Sequence, residues 1–161
     1  MRFASRDKGL YLLLLEVHGR LLVGRLGTLD FSGWYVYVGS AQGPAGLKRI
    51  QRHSDYGTRT SAPLRWHVDV LLASGALRGA VVALTDERLE CRLAEGLGVA
   101  LSPAFPGFGS SDCACPTHLF SATSYDTALM AGCQTMAGLG LAPREVLMTS
   151  TADRLLLDCT L

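Results

Sequence analysis

The sequence predicts an α+β protein in which a small, mainly antiparallel sheet of three strands is flanked by helices. Three apolar runs near the start are rich in aromatic and branched side chains, as strands are; these runs cover residues 9–17, 20–26 and 33–39. Two later segments, residues 47–53 and 86–97, place apolar residues at helical spacing. The pattern at residues 126–136 predicts an extra helical segment near the C-terminus.

The three apolar runs are close enough in sequence to form a meander. Turn residues separate them, His18-Gly19 after the first run and Gly27-Thr28 after the second. Short connections of this kind join antiparallel neighbours. We therefore expect the three runs to pair in order along the chain.

Loops and helices follow the predicted meander. In chain order we predict a loop, a helix, a second loop, a helix or strand-to-helix segment, and a short buried strand: residues 42–46, 47–53, 54–63, 66–77 and 80–84. The helix at 86–97 has Thr85 or Asp86 as N-cap and ends at Gly98. This assignment places Glu90 inside a helix.

The C-terminal half begins with an irregular segment. Residues 101–115 are rich in Pro, Gly and Ser, which predicts a loop at the rim of a site. Ser124 or Asp126 would cap the helix at 126–136, and Gly138 would end it. Beyond it, residues 143–157 give mixed signals.

Size and composition agree with one compact domain. The chain has 161 residues, and 48% of them are hydrophobic, enough to build a core. The charged start and the short apolar run Leu10 to Leu15 predict neither a secretion signal nor a membrane span. We expect a cytoplasmic protein with no membrane partner. Its odd number of cysteines, five, favours reduced thiols, with Cys91, Cys133 and Cys159 buried.

Charge gives mixed support for a nucleic-acid partner. The net charge is only +1, whereas phosphate-binding proteins are usually more basic. Positive charge is nevertheless concentrated in one stretch that contains a single acidic residue, Asp55; its basic residues are Lys48, Arg49, Arg52, Arg59 and Arg65. Such a stretch is either a solvated helix and loop or a phosphate-binding surface.

Several polar residues together suit phosphodiester hydrolysis. That reaction needs a proton acceptor beside the attacking water, a cation for the charge on phosphate, and usually a metal held by a carboxylate. Tyr11 and Tyr37 lie at predicted strand ends, and Arg49 and His53 share a helix face at i, i+4 spacing. Glu90 is the candidate carboxylate.

Short motifs in this chain resemble those of a known nuclease group. Gly9-Leu10-Tyr11 and Tyr37-Val38-Gly39 resemble the two halves of the motif that names the GIY-YIG nuclease superfamily. Other segments are similar to a small GIY-YIG-like branch sometimes joined to DNA-repair glycosylase-type domains: Gly-Ser-Ala at 39–41, Arg49-x-x-Arg52-His53, Trp66-His67-Val68-Asp69, Glu90-Cys91-Arg92-Leu93-Ala94 and the run 107–120.

The resemblance implies a nuclease domain at residues 1–120, with residues 121–161 as an extension packed on it. It implies a metal-dependent endonuclease that acts on DNA, in repair or recombination. A homodimer or a DNA-repair protein is left open as a partner. It also implies that Gly39, Ser40, Lys48, Arg52 and His67 contact the substrate.

Each proposed catalytic residue has a defined role. The resemblance implies that Tyr11 or Tyr37 takes the proton from the attacking water, and Tyr35 is the tyrosine most easily confused with Tyr37. A guanidinium offers phosphate a planar fork of donors, so Arg49 is the predicted phosphate ligand. Arg52 is its alternate on the same helix.

The remaining roles concern protons and metal. His53 would orient or deprotonate water, or protonate the leaving oxygen. Glu90 would hold one divalent cation, Mg²⁺ by preference, and Glu87 one turn earlier is the alternative. His67 and Asp69 are expected to have a structural or substrate-contacting role, with hydrogen bonds to the loop around Asp112.

The irregular loop contains residues of a second candidate metal site. Cys113, Cys115 and His118, with Cys91, offer four donors for zinc. The Cys-x-Cys spacing is shorter than the usual ligand knuckle, which argues against structural zinc. Two other function classes stay open beside the nuclease: a catalytically inactive nucleic-acid-binding domain, and a structural or partner-binding module.

Overall fold

A computed structural model describes residues 7–56, 64–147 and 156–158. These residues form seven strands and four α-helices. The strands are β1 Gly9–Leu22, β2 Thr28–Ala41, β3 Leu77–Leu84, β4 Ser102–Pro103, β5 Leu119–Ala122, β6 Arg144–Leu147 and β7 Leu156–Asp158. The helices are α1 Lys48–Tyr56, α2 His67–Ala73, α3 Glu90–Ala100 and α4 Tyr125–Gly138.

The strands form one antiparallel sheet in the order β4-β5-β2-β1-β3-β6-β7. The predicted α+β class is confirmed, but the sheet is larger than the three strands that the sequence predicts. Strands β4, β5, β6 and β7 were not predicted because they are only two to four residues long, and β4 lies within the predicted loop 101–115. Runs this short carry too little alternation to identify a strand from sequence.

The predicted three-stranded meander is wrong because its first two runs belong to one strand. β1 continues through His18-Gly19, where each residue still pairs with β2. The chain reverses instead at the short 3-10 turn Gly24–Leu26. Gly24 and Gly27, which flank this turn, have φ of +48° and +78°, a conformation that favours glycine.

The helix boundaries also differ from the prediction. α1 extends to Tyr56, so residues 54–56 are helical where a loop was predicted, and residues 57–63 lie outside the described part. α2 ends at Ala73, and Leu77 begins β3. α3 begins at Glu90 because the Thr85 hydroxyl accepts a hydrogen bond from the Glu87 N–H and forms a turn before the helix.

Both faces of the sheet are covered, which explains the leucine run in β1. Leu10, Leu12 and Leu14 pack against residues of α3 and α4 on one face. Leu13 and Leu15 pack against α1 and α2 on the other. A central strand that is buried on both faces has a continuously apolar sequence, not an alternation of apolar and polar residues.

The C-terminal helix packs on the same sheet. Ser124 caps α4 as predicted, since its hydroxyl accepts a hydrogen bond from the Thr127 N–H. Cys133 on α4 is buried and takes part in a disulfide, contrary to the expectation of reduced thiols throughout. Cys91 is exposed, not buried as expected, and Cys159 lies outside the described residues. In the part of the chain described, none of the helices has the length and apolar character needed to span a bilayer.

Candidate functional site

A cleft of about 370 Å³ opens at the end of the sheet where β1 begins and β2 ends. All but one of the site residues predicted from the sequence line this cleft. They come from β1, β2, α1, α2 and the first residue of α3: Tyr11, Tyr37, Gly39, Ser40, Arg49, Arg52, His53, His67 and Glu90. The fold therefore brings together residues that are up to 79 positions apart, from Tyr11 to Glu90.

Lys48 is the exception among the predicted substrate contacts. It is exposed at the start of α1 and is not among the residues that line the cleft. Leu47 and Ile50 on either side of it are buried in the core, so the backbone turns Lys48 outward. Its neighbour Arg49 faces the cleft instead.

Sequence reasoning missed several other residues of the cleft. Asp112 adds a second carboxylate and Arg65 a third guanidinium. Trp66 also lines the cleft and is 54% exposed. These residues lie in irregular segments, and no local pattern in the sequence shows which way such segments fold.

Tyr11 is held in place by the glycine opposite it. In the β1–β2 register Tyr11 pairs with Gly39. A Cβ on Gly39 would lie 2.1 Å from Tyr11 Cζ, closer than any real contact. The tyrosine ring therefore lies across Gly39, and only glycine permits it. This packing sends the Tyr11 hydroxyl to His53, whose Nε2 is 3.0 Å away.

Burial keeps both members of the Tyr11–His53 pair neutral. Burial raises the pKa of Tyr11 to about 12, although the charge and hydrogen bond of Arg49 act to lower it. Burial lowers the pKa of His53 to about 3, helped by the positive charges of Arg52 and Arg49. His53 Nδ1 is buried without a hydrogen-bond partner among the described residues. At neutral pH a phenol therefore faces a neutral imidazole, and the two share a hydrogen bond.

Tyr37 provides a second neutral phenol. Its ring lies edge-on to Phe108, with 6.2 Å between ring centroids. Gly109 has φ of +69°, and a Cβ there would lie 2.7 Å from Tyr37 Cε2. Burial raises the Tyr37 pKa. Tyr35 can be distinguished from Tyr37 by its contacts. The Tyr35 hydroxyl accepts a hydrogen bond from the Ser32 N–H at 2.9 Å, and Tyr35 is not among the residues that line the cleft.

Arg49 supplies positive charge at the centre of the cleft. Its Nη1 donates to the Ser40 carbonyl oxygen at 3.1 Å, which fixes the guanidinium near the end of β2. Arg52 and Arg65 lie at more exposed positions of the same cleft. Together they give a concave surface with three guanidinium groups, suited to an anionic ligand such as phosphate.

His67 adds a donor, and its tautomer follows from its contacts. His67 Nδ1 accepts a hydrogen bond from the Gly109 N–H at 2.9 Å. Burial lowers the His67 pKa, so the ring is neutral and its proton lies on Nε2. Asp69 does not contact the irregular loop; it accepts the N–H groups of Arg65 and Trp66 at the start of α2.

Glu90 combines partial exposure with a position at a helix N-terminus. It is the first residue of α3, and its side chain is 34% exposed. Glu90 Oε1 lies 3.2 Å from His118 Nδ1. With Asp112 in the same cleft, the carboxylate oxygens are the donor type that Mg²⁺ prefers.

A second group of potential metal ligands lies beside Glu90. We call Cys91, Cys113, Cys115 and His118 the Cys/His cluster. Each side chain offers one ligand atom, and these four atoms all lie within 4.8 Å of one another. Cys91 comes from α3, and the other three come from the segment before β5.

Comparison with known proteins changes the family assignment. No curated protein and no solved structure matches this chain. One family model matches residues 10–141, and it is not a GIY-YIG model, so the resemblance to that superfamily was wrong. The two three-residue motifs are short, and the packing of Tyr11 on Gly39 is sufficient reason for the glycine. The chain belongs to the family described as Domain of unknown function DUF123.

Proposed function

We propose that this protein is a metal-dependent endonuclease that hydrolyses phosphodiester bonds in DNA. One observation carries the proposal: the hydrogen-bonded Tyr11–His53 pair shares a cleft with Arg49 and Glu90. A proton acceptor, a fixed cation and a carboxylate are the groups that phosphodiester hydrolysis requires. The family match assigns no activity, so the proposal depends on this geometry.

The Tyr11–His53 pair provides a route for the proton of the attacking water. As water attacks phosphorus, the bond from phosphorus to the leaving oxygen breaks. The water proton passes to the Tyr11 oxygen, and the Tyr11 proton passes to His53 Nε2. The leaving oxygen takes up a proton from solvent, and His53 returns its proton to solvent. The low pKa of His53 ensures that the imidazole is unprotonated at the start. Tyr37, kept protonated by burial, can donate a hydrogen bond to a phosphate oxygen or to the leaving oxygen.

The remaining groups bind the phosphate. Arg49 on α1 and His67 Nε2–H on α2 offer donors within the same cleft. Glu90 would hold Mg²⁺, with Asp112 in the same cleft as a second oxygen donor. A cation there would supply Lewis-acid stabilisation of charge on the phosphate oxygens.

The outer part of the cleft suits a nucleic acid with unpaired bases. Trp66 is exposed at the cleft, where its indole can stack on a base, and Arg52 and Arg65 can follow the backbone charge. We infer that the shape of the substrate, rather than base-edge contacts, sets specificity.

Incubation with supercoiled and branched DNA in the presence of Mg²⁺ tests the proposal. We expect the wild type to cut, and Glu90→Ala and Arg49→Ala to lose cutting. Lys48→Ala is the matched control on the same helix, since Lys48 lies outside the cleft. Binding without cleavage would instead identify a nucleic-acid-binding domain. Neither binding nor cleavage would identify a structural or partner-binding module.

A further inference from the structure

We propose that the Cys/His cluster binds one zinc ion. Three thiols and an imidazole are a common ligand set of structural zinc sites. Their ligand atoms all lie within 4.8 Å of one another. Around tetrahedral zinc with Zn–S bonds of about 2.3 Å, sulfur atoms are separated by about 3.7 Å. Closing the cluster onto an ion therefore needs shifts of only about 1 Å.

One pair of ligands is already at the spacing of a metal site. Cys113 Sγ and His118 Nε2 are 3.4 Å apart, so both atoms point to the same place. His118 is 1% exposed, and its ring is therefore fixed by its surroundings. The three thiols are reached from solvent more easily, because Cys91 is exposed and Cys113 and Cys115 are partly exposed. An ion can enter without opening the core.

The fold removes the objection that the Cys-x-Cys spacing raises. Cys113 and Cys115 do not need to form a knuckle by themselves, since the fold adds Cys91 from the first turn of α3 and His118 from the chain just before β5. Four protein ligands complete a tetrahedral site. With no position left for substrate, the ion would be structural rather than catalytic.

The segment that carries three of the ligands also forms part of the cleft. Between β4 and β5, residues 104–118 contain no helix or strand. Gly109, Ser111 and Asp112 from this segment line the cleft. A zinc ion held jointly with Cys91 would attach the segment to α3 and so hold one wall of the cleft.

A second contact connects the proposed ion to the cleft. His118 presents Nε2 to the cluster while Nδ1 faces Glu90 Oε1 at 3.2 Å. Histidine ligands of metals usually donate their other N–H to such an acceptor, which fixes the tautomer and the ring orientation. Glu90 thus lies between the proposed zinc ligand and the cleft. The zinc site does not depend on the proposed nuclease activity, and its test measures metal alone.

Metal content of the full chain, purified under reducing conditions, tests the proposal. We expect one zinc per chain by elemental mass spectrometry. When Co²⁺ replaces zinc, we expect an intense thiolate-to-metal charge-transfer absorption band. Cys113→Ser and Cys115→Ser should reduce bound zinc to traces. Ser111→Ala is the matched control, because Ser111 is exposed on the same segment and outside the cluster. It should keep one zinc.

Two substitutions of Glu90 test the contact between Glu90 and His118. Glu90→Ala removes the carboxylate that lies 3.2 Å from His118 Nδ1 and should weaken zinc binding by about 10- to 100-fold. Glu90→Gln keeps an oxygen acceptor and should bind zinc nearly as the wild type does.

Three results would overturn the zinc site. Folded, reduced wild type that takes up neither Zn²⁺ nor Co²⁺ is the first. The second is a disulfide between two of the three thiols that forms equally well with zinc present. The third is wild-type zinc content in both cysteine variants. If a cysteine variant fails to fold by circular dichroism, the Co²⁺ spectrum of the wild type decides.

Discussion

The cleft and the Cys/His cluster meet at neighbouring residues, Glu90 and Cys91, yet they are built in different ways. The cleft is carried by a sheet and by three helices, and its central pair, Tyr11 and His53, is buried. The cluster depends on a segment without regular structure, and its thiols are partly exposed. Backbone pairing in the sheet therefore positions the centre of the cleft, whereas loop hydrogen bonds and the buried Phe108 position the segment that carries most of the cluster.

The largest effect is expected from removing one hydroxyl in the cleft. Tyr11→Phe deletes the group that bonds to His53 and should slow DNA cleavage by on the order of 10³-fold, a typical contribution of general acid–base catalysis. Tyr35→Phe is the matched control, because the Tyr35 hydroxyl bonds to the Ser32 backbone outside the cleft. Equal rates in the two variants would contradict the role of Tyr11. Zinc content should change in neither.

The stability of the fold should depend on pH through His53. Its pKa is about 3 in the folded chain against about 6.5 when unfolded, so the unfolded chain binds the extra proton between these values. Stability is complete above about pH 6.5 and falls by on the order of a few kcal/mol as pH drops toward 3. Denaturant unfolding from pH 7 to 4 measures this loss.

Variants identify the histidine responsible. His53→Gln should flatten the pH dependence, whereas His18→Gln should leave it unchanged because the His18 side chain is 65% exposed. An unchanged slope in His53→Gln would show that another group titrates. Arg49, Arg52 and Tyr11 are the charged or titratable groups that face His53.

A smaller effect on the reaction is expected at Arg49. Arg49→Ala should reduce cleavage by on the order of 10²-fold, as loss of a donor to a charged transition state does. Arg49→Lys should recover part of the rate, since lysine keeps the charge but not the planar fork. Lys48→Ala, one residue away and outside the cleft, should cut at the wild-type rate. A loss of the same size in Lys48→Ala would mean that the charge of α1 as a whole, not Arg49, is what matters.

The smallest effect concerns the packing that positions Tyr11. Gly39→Ala places a methyl group where the Tyr11 ring lies and should destabilise the fold by about 1 to 3 kcal/mol while displacing the ring. Gly138→Ala, at the end of α4 with nothing within 4 Å of its Cβ position, should be neutral or slightly stabilising. Thermal unfolding compares the two. Equal stability would contradict the close packing of Tyr11 on Gly39.

Much of the fold could be predicted where a single segment carries the signal. The apolar runs predict the sheet, and Ser124 predicts the start of α4. Gly19 was predicted to lie in a turn. It has φ of +99°, but it lies within β1 and still pairs with β2. Thr85 was predicted to cap the helix. Its hydroxyl instead accepts a hydrogen bond from the N–H of Glu87, before the helix begins.

The site could be predicted where the residue type and spacing were sufficient. Arg49 and His53 are four residues apart on one helix, which places both on one side of it. Asp112 and Arg65 were missed because only the tertiary path of irregular segments brings them to the cleft. The proximity of the four Cys/His cluster residues could not be predicted for the same reason, since Cys91 joins the cluster through the fold and not through sequence spacing.

The most direct test of the account is nicking of supercoiled plasmid at a range of Mg²⁺ concentrations by wild type and Glu90→Gln. Glu90→Gln keeps an acceptor for His118 Nδ1 but removes the carboxylate charge from the cleft. We predict Mg²⁺-dependent nicking by the wild type, stopped by EDTA, and little or none by Glu90→Gln at unchanged zinc content. Wild-type nicking by Glu90→Gln, or no cleavage by the wild type with any divalent cation, would contradict a phosphodiester-hydrolysing cleft.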